Sequence, residues 1–157
     1  MKGMILLWNS MKSVHLSFIC TRIVMVLVLA CAAALPQLLR GYFHYTALPS
    51  YASPYPLTLL ISLYLCCLPT LAALLCLDRL LRNIKNEQVF IRLNVKLLRV
   101  ISWCCFAVAL ILLIAAWNYI FLILLSVMFG LFGLILRVVK NVIEEAVNLK
   151  TENDYTI

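Results

Sequence analysis

The chain alternates long apolar runs with short polar interruptions, and only one long polar stretch, residues 78–99 (DRLLRNIKNEQVFIRLNVKLLR), has a strongly apolar run on each side. Each run can be read against a bilayer, whose hydrocarbon core of about 30 Å takes about 20 helical residues. Residues 14–39 supply a first span, with Lys12 and Arg22 at its entry; Arg22 can snorkel to the surface. Residues 57–77 supply a second, and Pro69 inside it frees the carbonyl of Leu65 and predicts a bend, with Thr70 placed to satisfy part of the loosened backbone. Residues 100–136 carry no charge, and as one helix they would reach roughly 55 Å, so the stretch has to turn back. The reversal is expected at Trp117-Asn118-Tyr119, an amide between two interfacial rings, which gives spans at 100–116 and 120–136. A rival reading makes the first run a cleaved signal peptide, with Ala32-Ala33-Ala34 as the small-residue site. Against it, the apolar character continues to Leu38 and Leu39.

Composition turns this pattern into a class. With 66% apolar residues, 12% charged residues and a mean hydropathy of +1.07, an ordinary soluble domain is excluded. The expected fold is all-α: one integral membrane domain, residues 1–157, with four transmembrane helices in two hairpins. Charge then orients it. Of the 13 Lys and Arg residues, six (Arg79, Arg82, Lys85, Arg92, Lys96, Arg99) lie in the central stretch against Asp78 and Glu87. Basic loops stay inside, which predicts a cytoplasmic loop at 78–99, cytoplasmic termini, a cytoplasmic tail at 137–157 and Arg40 as the one outer basic residue. The outer loop, 40–56, gathers Tyr42, Phe43, Tyr45, Tyr51 and Tyr55 where aromatic rings suit the headgroup layer.

Little here points to catalysis. The seven cysteines (Cys20, Cys31, Cys66, Cys67, Cys76, Cys104, Cys105) are an odd number without C-x-x-C spacing, and read as small apolar filler rather than a disulfide framework or zinc site. His15 and His44 are assigned to opposite sides, and no nucleophile has an identifiable base. The chain is therefore read as a non-enzyme with no cofactor, no metal and no identifiable small-molecule substrate. The spans contain no Asp, Glu or Lys, the groups a proton-coupled pump normally needs. Ala107, Ala109, Ala115, Gly130 and Gly133 allow close helix approach without forming a G-x-x-x-G motif, and Thr58, Ser62, Ser102 and Ser126 are hydrogen-bonding candidates.

The inner surface is more distinctive. On a helix over 90–101, Arg92, Lys96 and Arg99 share one face, while Phe90, Leu93, Leu97 and Ile101 share the other. This basic stripe suits anionic headgroups or protein recognition; direct nucleic-acid binding is not expected without a helix-turn-helix module. In the tail, Val138, Val139, Val142, Ala146 and Leu149 form an apolar arc opposite Arg137, Lys140, Glu144 and Asn148. The terminal TENDYTI favours an exit from helix.

The loop sequence NEQVFIRLNVKLLRVISW and the terminal LKTENDYTI carry a resemblance. Through Phe90, Asn94, Leu98 and Arg99, and through Glu152, Asn153, Asp154, Thr156 and Ile157, the chain from Met11 onward resembles domain-of-unknown-function family 2975. These are small bacterial four-helix membrane proteins; Tyr155 departs from the apolar residue common there. The resemblance implies a bacterial inner-membrane protein, often encoded beside a small helix-turn-helix regulator, and supplies no catalytic residues.

Two functions are expected to compete. The first is a regulatory or interaction protein whose cytoplasmic residues Phe90, Arg92, Asn94, Lys96, Arg99, Glu152, Asn153 and Asp154 hold a partner, such as a helix-turn-helix regulator, at the lipid bilayer. The second is a small transport or envelope-defence protein acting as a homo-oligomer, through a pore or the Pro69 kink.

Overall fold

The computed structural model describes residues 2–45, 55–86, 91–117 and 120–154, with side chains described for 16–39, 41, 57–86, 91–117 and 120–153. The described residues form four helices: α1 (Lys2–Tyr45), α2 (Tyr55–Lys85), α3 (Arg92–Ala115) and α4 (Phe121–Asp154). Each contains a stretch long and apolar enough to cross a membrane. Among the described residues there is no strand. The outer-loop residues 46–54, Phe90, Asn118, Tyr119 and residues 155–157 lie outside the described set, as do the side chains of His44 and Asp154.

The helices are longer than the apolar runs within them. Hydropathy marks where a chain meets hydrocarbon, whereas backbone hydrogen bonding carries a helix on into water. The 44 residues of α1 amount to roughly 66 Å, about twice a hydrocarbon core. Most of the polar central stretch is likewise helical, because α2 continues to Lys85 and α3 begins at Arg92 behind an extended Ile91. At the far end, α4 runs on to Asp154 rather than ending ahead of TENDYTI; Thr151 donates its hydroxyl to the Val147 carbonyl at 2.7 Å and stays in the helix despite its weak propensity. α3 ends at Ala115 and the antiparallel α4 begins at Phe121, with Trp117 between them almost fully exposed.

Among the described residues, helices touch only their sequence neighbours: α1 on α2, α2 on α3 and α3 on α4. The result is an open row of antiparallel neighbours instead of a closed bundle. Leu59 and Cys66 of α2 meet Val108, Leu112 and Ala115 of α3 and Leu122 of α4 in the main apolar cluster, while Leu80, Leu97 and Leu98 form a second near the charged ends. Leu113, Ile114, Leu124 and many other large apolar side chains are exposed. In water such faces would drive aggregation; in a bilayer they meet acyl chains.

Because lipid is as apolar as leucine, the row needs contacts other than hydrophobic burial. Ser102 donates to the Gly133 carbonyl at 2.9 Å, and Ser126 donates to the Ala109 carbonyl at 2.7 Å, fastening α3 to α4 at two levels. Close approach at Gly133 is required, since a Cβ there would stand 3.2 Å from the Phe106 ring. Between α1 and α2, Tyr64 Oη donates to the Ala32 carbonyl at 3.1 Å. Pro36 lies in α1 one turn beyond Ala32, and its missing N–H leaves that carbonyl without its usual i+4 donor. Beside Pro69, Thr70 donates its hydroxyl to the Cys66 carbonyl at 2.7 Å, one residue on from the Leu65 carbonyl that the proline frees.

Candidate functional site: the charged ends of the helices

Antiparallel packing brings the charged helix ends together at one end of the row. Three polar contacts follow one another across it, one at each helix pair. Between α1 and α2, Asp78 accepts from Arg22 Nε at 3.0 Å and from Arg82 at 2.9 Å. Asp78 and Arg82 are one helical turn apart, and so are Phe18 and Arg22; both guanidiniums also lie over the Phe18 ring, at 5.2 and 5.9 Å from its centre. The Asp78 side chain is only 10% exposed against 47% for Arg22, so the carboxylate depends on its partners more than they depend on it.

Between α2 and α3, Asn83 Nδ2 donates to Asn94 Oδ1 at 2.8 Å. Asn94 is buried to 2% exposure, so this residue, expected from the sequence to face a partner, fastens the hairpin instead. The apolar face expected over 90–101 needs the same adjustment: Leu97 and Ile101 are buried beside Asn94, Val95 and Leu98, whereas Leu93 is 53% exposed. The helix is turned so that an amide pair, satisfied across the interface, takes the position assigned to leucine. Arg92, Lys96 and Arg99 do lie exposed together along α3.

Between α3 and α4, Glu144 receives Arg99 through Oε1 at 3.5 Å and Lys140 through Oε2. The hydrogen bond from Lys140, joined by the charges of Lys140 and Arg99, outweighs an opposing effect of desolvation and holds the Glu144 carboxyl below the usual carboxylate range. Arg137 lies over the Trp103 ring at 5.5 Å from its centre. On the α4 extension, Glu152 and Asn153 are exposed. Among the described residues no three His, Cys, Asp or Glu side chains come together as a metal site, and the described cysteines are free. What the arrangement offers is electrostatic and hydrogen-bonding recognition.

A family model described as Protein of unknown function (DUF2975) matches residues 15–157. The chain belongs to this family. No curated protein and no solved structure matches it. The DUF2975 match covers all four spans and the α4 extension together.

The sequence pointed to Arg92, Lys96, Arg99 and Glu152 but not to the Arg22–Asp78 pair. A signal for it existed. Arg22 is the lone charge in the first apolar run and Asp78 the first charge after the second, and in an antiparallel hairpin those two positions fall at one depth.

Proposed function

We propose that this DUF2975 protein is a multi-pass protein of the bacterial cytoplasmic membrane that acts as an interaction platform. Its charged helix ends face the cytoplasm, where Arg92, Lys96 and Arg99 on α3, with Glu152, Asn153 and Asp154 on α4, hold a partner such as a helix-turn-helix regulator. The observation that carries this reading is the continuation of α4 from Arg137 to Asp154, about 25 Å of helix beyond the uncharged run. A charged element of that length, anchored through Glu144 to α3, is a structured surface rather than a loose tail. The basic loop supports the inward orientation.

The test is affinity capture of full-length tagged protein from detergent extract, compared with Arg92→Glu/Lys96→Glu and with a chain ending at Leu149. The expected result is one cytoplasmic partner recovered with the wild type and lost with both variants. Equal recovery from all three contradicts the platform.

A transport or envelope-defence role for an oligomer is the second reading. The open row supports it, because its many exposed apolar side chains leave room for further copies. Substrate flux in vesicles that survives the truncation but not Pro69→Leu would favour it.

A further inference from the structure

An open cavity of about 260 Å³ lies between α3 and α4, lined by Arg99, Ser102, Trp103, Arg137 and Lys140. Three of those five side chains are cations. Glu144 draws on two of them through single contacts, yet a guanidinium has five N–H donors and an ammonium three, so most of their donors remain. Glu144 thus fixes Arg99 and Lys140 in place while leaving an excess of positive charge. Arg137 lies over the Trp103 ring, and its guanidinium carries N–H donors suited to a planar or tetrahedral anion.

The position of the cavity identifies the source of that anion. Arg99 immediately precedes the uncharged run 100–136 and Arg137 immediately follows it, so the cavity sits where hydrocarbon gives way to headgroups. Trp103 is 60% exposed at the depth that tryptophans favour in membranes. Basic cavities between transmembrane helices at this depth suit phosphate-bearing headgroups. We propose that Arg99, Arg137, Lys140 and Trp103 form a site for the phosphate of an anionic phospholipid, seated between α3 and α4. The site shares Arg99 with the platform reading, whereas Arg137, Lys140 and Trp103 belong to the site alone, so variants at Arg137 and Lys140 test it separately.

The experiment titrates the full-length protein in neutral detergent with phosphatidylglycerol, phosphatidylcholine or inorganic phosphate, and reads retained lipid by native mass spectrometry. The wild type is expected to retain phosphatidylglycerol over phosphatidylcholine, with inorganic phosphate unable to displace it. Arg137→Gln/Lys140→Gln should lose about tenfold in retention, whereas Arg79→Gln/Lys85→Gln, with the same change in charge, should stay within about twofold. If the first double variant is not monodisperse, Arg137→Gln alone, which leaves both Glu144 pairs intact, should lose about fivefold. Equal losses in the two double variants, no loss in the cavity variants, or ready displacement by inorganic phosphate would each overturn the assignment, the last by pointing to a soluble phosphorylated ligand.

Discussion

Tyr64 of α2 donates its hydroxyl to the carbonyl of Ala32 in α1 at 3.1 Å, and Ala32 is the residue whose i+4 partner is Pro36. The proline that loosens one helix thereby creates the acceptor that ties it to the next. Interhelical hydrogen bonds in membranes average about 0.6 kcal/mol and reach about 1.7; this acceptor lacks its helical donor, which places the bond toward the upper value. Tyr64→Phe should therefore cost about 1–2 kcal/mol in a Pro36 background and much less with Pro36→Ala, where the backbone N–H returns. A double-mutant cycle on denaturant-induced unfolding in detergent measures the coupling.

The Arg22–Asp78–Arg82 cluster should respond unequally to truncation. Asp78→Ala leaves two guanidiniums facing one another and is expected to cost about 1–3 kcal/mol. Arg22→Ala should cost under about 1 kcal/mol, because Arg22 is half exposed and Arg82 still neutralises the carboxylate. Thermal unfolding of the two single variants in the same detergent ranks them.

Asn83 and Asn94 form a pair that tolerates joint replacement better than single loss. Asn94→Ala opens space at a site with 2% exposure and removes the acceptor for Asn83, for an expected loss of about 1–3 kcal/mol. Asn83→Leu/Asn94→Leu should cost less than the two single leucine changes added together, since neither then leaves a solitary amide. Unfolding of all three variants gives the comparison.

The α4 extension should loosen in acid. Glu144 is held below its ordinary value of 4.5 by Lys140 and Arg99, so its pairing stabilises the docked helix above that value and is lost as pH falls through the lowered one. Limited proteolysis after Leu136 should quicken at low pH in the wild type, and in Glu144→Gln should already be fast at neutral pH and change little. High salt should shrink the difference, chiefly through the Arg99–Glu144 pair, both of whose side chains are exposed.

Four helices and the reversal beyond Ala116 were legible in the sequence because length and hydropathy are properties of one helix at a time. The basic face of Arg92, Lys96 and Arg99 was legible for the same reason. Neighbour relations were not. Nothing in the periodicity of 90–101 distinguishes Leu93 from Asn94 as the buried residue; Asn83, eleven positions earlier, decides it. Nor does hydropathy show that Pro36 would be answered by Tyr64, or that α4 would persist to Asp154, since both depend on contacts with another helix or on backbone bonding in water. The open row was the least legible feature, because apolar faces look alike whether they meet lipid or protein.

The account rests most heavily on the side of the membrane at which the charged helix ends lie. On a background with the seven native cysteines replaced, single cysteines at Leu48→Cys, Asn86→Cys and Asn153→Cys can be exposed to a membrane-impermeant maleimide in intact bacterial cells with a permeable outer envelope. Labelling at position 48 alone, with positions 86 and 153 reacting only after lysis, is the predicted result; labelling of 86 or 153 in intact cells would contradict it.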